Sequence, residues 1–353
     1  MNRIIIYRCG TIGDTIVAVP AIQAIRAAYP KASLVLMTAS SSRGGIWADT
    51  VLREFAWFDH FVTYDPDELG NPRAVMQLIR RVRQVNADMI VHLGSERNSW
   101  VRIVRDRLFF ALAGTPRFVG AFSGTPTWYC RLRRDDRVYP YEVDRLRAIA
   151  ARAGADVDRP VQFELPLSTA HRHRVDALLR DVRVTKGRLL VGMCPGSKQA
   201  AKRWPEERFA EVGRRLIEEH GAFILIVGGE DERLTGDRIG RSYWPAEHWT
   251  NAASRLSVLE SAELLRRCHL YVGNDTGAMH LASAVGTRCL AIFAARCPER
   301  SWNPYGDNHI VVRRRVPCRN CFLSECTRNH LRCLTEIDVD QVWAACRRML
   351  AYR

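Results

Sequence analysis

The stretch YVGNDTGAMHLASAVGTRCLAIF, Tyr271 to Phe293, is an apolar run that stops at Asn-Asp-Thr-Gly. A small-residue segment carrying His280 follows, and a second apolar run begins after Gly286. The runs read as buried strands, the first over His269–Gly273, and Ala278–Val285 between them reads as a helix with Gly286 at its C-terminal stop. Strand, turn, helix, strand is a βαβ unit, so the sheet is parallel. The turn Asn274–Gly277 then carries the chemistry. Asp275 or Thr276 can cap the helix, and Gly277 lets a ligand approach the backbone. The free N–H groups of Thr276, Gly277 and Ala278 make an anion site. His280 lies one turn on, its side chain leaning back toward the helix start. A tight capped turn accounts for the geometry alone; an acid, a hydroxyl and an imidazole around one anion site point to a ligand.

Working outward, strands alternate with helical patterns along the chain. Arg3–Arg8, Ser33–Met37, Phe61–Tyr64, Ala87–Leu93 and Arg117–Phe122 read as strands, with a helix over Ala74–Val85 and another over Asp14–Ala28 that Pro20 should kink. The pattern pauses at DVDRPVQFELPLST, Asp156–Thr169. It resumes with a helix over His171–Leu179, strands at Arg188–Met193 and Ala222–Val227, and helices over Pro205–Glu219 and Val258–Arg266. Asp338 with Gln341 forms a capping box for a last helix through Leu350. At 353 residues the chain is long enough for two α/β domains. We place them at 1–165 and 166–335, with a terminal helix in 336–353 packing back toward the N-terminal domain.

Ligands of open parallel sheets sit beyond the carboxyl ends of the strands. Two further glycine turns lie there. GMCPGSKQAAKRWPEERFAEV places Ser197, Lys198, Lys202 and Arg203 between a strand end and a helix that starts at Pro205, which suits a phosphate, although the spacing is not that of a Walker A loop. IIIYRCGTIGDTIVAVPAIQAIR has only Gly10 and Gly13, too few glycines for the dinucleotide fingerprint, and opens its helix with Asp14. Asp14 can be a helix cap or a carboxylate kept ionised as a base, and both readings stand at this level.

The net charge is +15, carried in arginine bursts: Arg80–Gln84, Arg102–Arg107, Cys130–Arg137 and Arg313–Arg319. Either the surface is simply solvated and basic, or it meets a polyanion. No helix-turn-helix, zinc-finger or aromatic RNA-binding motif accompanies the arginines, so nucleic acid is set aside. No apolar run reaches the roughly 18 residues of a membrane span, and MNRIIIYRCG has no signal-peptide layout, so the expected location is cytoplasmic. Of eleven cysteines, four cluster as Cys318, Cys321, Cys326 and Cys333, spaced C-x2-C-x4-C-x6-C, with His330 among them. A structural Zn or Fe, disulfides and reduced packing thiols are all open for this cluster. Its role is expected to be structural, because it lies well beyond the cleft-forming loops in sequence.

With these motifs on the page, the chain resembles glycosyltransferase family 9, the ADP-heptose:lipopolysaccharide heptosyltransferases, almost end to end. The resemblance runs through GTIGDTIVAVPAIQAIRAAYP, PGSKQAAKRWPEERFAEV, LIVGGEDE, LSVLESAELL, VGNDTGAMHLASAVGTRCLAIF and CLTEIDVDQV. It implies a GT-B architecture, two Rossmann-like doubly wound domains facing an interdomain cleft. It also implies an inverting transfer of heptose or a related sugar from an ADP-sugar, with no cofactor required for catalysis. Carried over residue by residue, Asp14 matches the general base, Lys202 the lysine on the donor phosphates, and Ser197 the hydroxyl beside it. Glu230 falls at the acid that contacts the nucleoside, Leu256 and Ser257 at the adenosine, and Asp275, Thr276, Gly277 and His280 at the sugar and diphosphate. On the acceptor side it points to Gly13, Arg97, Arg102 and Arg105. The implied partners are a nucleotide sugar and an anionic, lipid-linked saccharide reached by peripheral contact with the cytoplasmic face of the inner membrane. After the fourth strand VHLGSERNSWVRIVRDR departs from the family's D-L-x-G-x-x-R, so the acceptor wall differs. Competing readings are a family member with another nucleotide sugar, or with a protein, exopolysaccharide or small-molecule acceptor, and a GT-B sugar-nucleotide epimerase.

Overall fold

The computed structural model describes residues 1–40, 48–94, 100–120 and 139–351. They form two compact units, one ending at Pro166 and one running from Leu167, with Tyr139 grouped in the second. The proline-bearing pause near residue 165 is therefore the boundary. Each unit is an α/β layer structure of Rossmann type, the class of the GT-B glycosyltransferases.

In the first unit the described elements are β1 (Arg3–Tyr7), α1 (Ile12–Ile16), α2 (Val19–Ala28), β2 (Ser33–Ala39), α3 (Ala48–Leu52), β3 (His60–Tyr64), α4 (Pro72–Val85), β4 (Met89–His92), α5 (Trp100–Leu112), β5 (Arg117–Gly120) and α6 (Glu142–Arg152). The strand order is β3-β2-β1-β4-β5, all parallel. Ile4, Ile5 and Ile6 on the central strand are fully buried, as expected of a strand covered on both faces. The single helix expected over Asp14–Ala28 is two, because Pro20 sits in the first turn of α2, where its missing N–H is harmless. On one face, Leu78, Ile79 and Val82 of α4 and Phe110 of α5 pack on Ile5, Val35 and Ile90.

The second unit contains α7 (Thr169–Asp181), β6 (Leu190–Cys194), α8 (Glu206–His220), β7 (Phe223–Ile226), α9 (Glu230–Tyr243), β8 (Trp249–Asn251), α10 (Val258–Arg267), β9 (Leu270–Asn274), α11 (Gly277–Ala284), β10 (Cys289–Phe293), β11 (Ile310–Arg313), α12 (Arg332–Thr335) and α13 (Val339–Ala351). Its sheet runs β11-β10-β9-β6-β7-β8, again all parallel. The stretch that opened the sequence reading is β9, α11 and β10, with Gly286 at φ +81° just past the helix end. The Asp338–Gln341 box caps α13, the side chains accepting reciprocally from backbone N–H groups at 2.7 and 3.3 Å. This helix was expected to pack toward the N-terminal domain. Its apolar face, Val342, Trp343, Cys346 and Met349, completes the second unit's own core with Phe209 and Leu216 of α8.

Candidate active site

In both sheets the strand order reverses next to the first strand of the unit, and the loops at that point diverge to leave room for a ligand. In the second unit the reversal lies between β6 and β9. The Ser197–Lys202 loop leaves β6 and the Asp275–His280 turn leaves β9, so the two loops flank it. Glu230 follows β7, and Leu256 and Ser257 follow β8, so these candidate donor residues occupy the carboxyl ends of four adjacent strands.

Lys202 Nζ lies 2.7 Å from Asp275 Oδ2, and both side chains are largely buried. Burial by itself raises the Asp275 pKa. The charge and hydrogen bond of Lys202, then His280 and Arg296, outweigh it and hold the carboxyl below its usual value. His280 is buried with its ring edge-on to Trp302, centroids 5.9 Å apart. Thr276 occupies the N-cap position of α11, but its hydroxyl turns to Tyr271 OH at 3.3 Å and Cys194 Sγ at 3.6 Å rather than capping the helix. The first-turn N–H groups of α11 are therefore left without a side-chain cap, as an anion site needs.

Ser197 is buried, and its oxygens already serve the loop: Oγ accepts from Gln199 N and the carbonyl from Arg203 Nε. Lys198 is exposed. Ser257 caps α10 in a box with Glu260, and Leu256 beside it is half-buried. Glu230 stands exposed in the first turn of α9, paired with Arg233. An open cavity of ≈ 380 Å3 lies beside that pair, lined by Arg233, Asp237, Trp249, Asn251 and Arg255.

Two residues that the sequence reading did not single out organise these loops. Asn274, fully buried at the end of β9, donates through Nδ2 to the carbonyls of Pro195 and Gly196 at 2.7 and 3.1 Å. Its Oδ1 accepts from Trp204 N at 3.1 Å, so one amide stitches the β9 turn to the β6 loop. Glu232 tucks under both glycine turns, since a Cβ on Gly196 or Gly228 would stand 2.8 or 2.6 Å from it. Asn274 belongs to the quoted Asn-Asp-Thr-Gly; a buried amide at a strand end was its signal.

The cysteine cluster lies beside these loops. Cys318, Cys321, Cys326 and Cys333 line one cavity of ≈ 20 Å3 together with Ala201 and Arg296. Far in sequence, the loop adjoins Lys202: Ser324 O accepts from Ala201 N at 3.0 Å, within the Ala200–Lys202 turn. Leu323 O and Phe322 O accept from Arg296, whose charge acts on Asp275. Among the described residues the ten cysteines form no disulfide. Among the described residues no group of three or more His, Cys, Asp or Glu is placed to hold a metal ion.

In the first unit Asp14 sits in the third position of α1. Its Oδ2 accepts from Thr11 N at 3.0 Å and Thr11 Oγ1 at 3.2 Å, which is the capping role. Its Oδ1 faces the Arg8 guanidinium at 3.9 Å, and 27% of the side chain is exposed. Capping therefore uses one oxygen and leaves the other partly open. Arg8 is fully buried, donates to the Asp14 and Leu93 carbonyls and lies 4.0 Å from Glu142, so it spans the β1 and β4 loops. Gly10, at φ +138°, is obligatory, since a Cβ there would meet Asp14 Cβ at 2.4 Å. Gly13 is buried in α1, Arg102 is exposed on α5, and Arg105 on α5 is exposed and pairs with Asp106 at 2.6 Å. Arg97 and the burst Cys130–Arg137 lie outside the described residues.

The profile of glycosyltransferase family 9 (heptosyltransferase) matches residues 75–332. The chain belongs to this family. Among curated relatives, it is 27% identical over 173 residues to lipopolysaccharide heptosyltransferase 2 of Salmonella typhimurium, 47% of this chain and 49% of that protein. It thus spans 37–49% of the length of the curated relatives first matched. Two solved structures share the fold over essentially the whole chain. They are a family 9 glycosyltransferase of Veillonella parvula (TM-score 0.72, 18% identity, covering 100% and 98% of the two chains) and the E. coli ADP-heptose lps heptosyltransferase II (0.68, 19%, 100% and 99%).

Proposed function

We propose that this family 9 chain is an inverting glycosyltransferase that moves a heptose from an ADP-sugar to a hydroxyl of a lipopolysaccharide-core-type acceptor. The observation that carries the reading is the Lys202–Asp275 pair beside the uncapped N-terminus of α11, at the reversal of strand order. Lys202 and the α11 N–H groups would meet the diphosphate, with no catalytic metal called on. Asp275 would hold sugar hydroxyls, and Glu230, Leu256 and Ser257 would face the nucleoside. In the first unit, Asp14 would take the acceptor hydroxyl's proton as its oxygen bonds to the anomeric carbon and the bond to the diphosphate breaks, with ADP leaving. Thr11 and Arg8 would fix the orientation of that carboxylate. Gly13, Arg97, Arg102 and Arg105 would border the acceptor.

Among the described residues no helix is long and apolar enough to cross a membrane. We place the enzyme in the cytoplasm, meeting its lipid-linked acceptor peripherally at the inner membrane. For the cysteine loop we propose that it braces the Lys202 turn. A structural zinc or iron, disulfides, or reduced thiols packed together would each do so. The test of the whole reading is donor binding and hydrolysis with ADP-, GDP- and UDP-sugars. An ADP-sugar should be bound and turned over in preference, and equal or stronger use of a GDP- or UDP-sugar would overturn the donor assignment.

A further inference from the structure

Helix α5 carries large apolar side chains on two opposite faces, although a surface helix needs only one. Ile103 and Phe110 are buried, Phe110 against the sheet. Val101, Val104, Leu108 and Leu112 are 51–59% exposed. At ~100° per residue these four fall within an arc of about 80°, opposite Phe110. Arg102 and Arg105 border the arc on one side and Arg107 on the other, all exposed. On the adjacent α4, Met76, 51% exposed, shares a face with Arg73, Arg80 and Arg83. Arg83 also donates to Leu112 O at 2.6 Å, which joins the two helices into one surface. α4 has no acid, and the only one on α5, Asp106, is buried against His92.

An apolar stripe with arginine on both flanks and no exposed acid matches an anionic bilayer, where side chains enter the headgroup boundary and guanidinium groups meet phosphates. Neither helix carries an exposed carboxylate to repel anionic headgroups. We propose that the α4–α5 face of the first unit is the element by which the protein docks on an anionic membrane. This deepens, and rests on, the peripheral-membrane reading above. In a parallel sheet α5 starts at the edge where Asp14 lies, so docking would hold that edge near the surface from which a lipid-linked acceptor rises.

The experiment is co-sedimentation of the full chain with phosphatidylcholine vesicles, with and without phosphatidylglycerol. Wild type should partition onto the anionic vesicles at least about tenfold better, and less so as salt is raised. Val104→Glu/Leu108→Glu should lose about tenfold or more of that partition, and Arg80→Gln/Arg107→Gln should lose a comparable amount. Both variants should keep the wild-type melting curve and ADP affinity. ADP binding is read in solution, so its failure would strike the proposed function and not the docking face. Equal partition onto neutral and anionic vesicles, or unchanged partition of Val104→Glu/Leu108→Glu, would overturn the proposal. So would a wild-type dimer by light scattering that this variant dissociates, because a second copy would then cover the stripe.

Discussion

Replacing Lys202 by alanine removes the nearest cation from a buried carboxylate. Breaking one side of a buried pair costs about 3–5 kcal/mol. Lys202 keeps 17% side-chain exposure, and His280 and Arg296 remain beside Asp275, so the loss should lie at the lower end, about 3 kcal/mol at neutral pH. The pH dependence discriminates. In the wild type the Asp275 pKa is lowered on folding, so its contribution is complete above the unfolded carboxylate pKa and is lost as pH falls through the folded value. Without Lys202, burial, the largest influence on this group, acts with less opposition and should raise the folded pKa. Protonation then relieves the variant, so the gap between the two proteins should narrow as pH falls toward about 4. Urea unfolding of wild type, Lys202→Ala, Asp275→Asn and the double variant at neutral and acid pH measures this, and the double variant should recover part of the loss. Calorimetry should show ADP affinity reduced about tenfold in Lys202→Ala. A stability gap independent of pH, with additive single variants, would refute the reasoning from burial.

Asp14→Asn should retain fold and donor affinity but lose about 100-fold or more in kcat, read by product formation at saturating donor; an unchanged rate would leave Asp14 a helix cap. Asn274→Ala strands two carbonyls and one N–H in the interior and should cost about 3 kcal/mol together with weaker ADP binding. Stability loss with intact nucleotide affinity would separate loop stitching from donor binding. Transfer should persist after chelator treatment at ordinary strength, since Lys202 and the α11 N–H groups are assigned the diphosphate charge. Metal analysis of protein purified without chelator addresses the cysteine loop: under about 0.2 equivalents of zinc plus iron excludes a structural site of usual affinity.

The local order of residues was enough to determine the α/β class, the boundary near residue 165, the βαβ unit at Tyr271–Phe293 and the Asp338–Gln341 cap. Hydrophobic period, capping pairs and a glycine past a helix end act within a few residues of themselves. Asp14, Lys202 and Asp275 were legible as candidates for the same reason, since each stands at a strand-to-helix turn. Only the tertiary structure decided which turns share an edge. β9 lies beside β6, so Asn274 reaches Pro195 and Lys202 reaches Asp275 across more than seventy positions. Only folding brought the cysteine loop against Ala201, buried Arg8 between the β1 and β4 loops, and left Val104 and Leu108 facing outward on a helix whose opposite side fills the core. The strand order of a parallel sheet is set by crossovers that burial over the whole unit selects, and no short window of sequence records that choice.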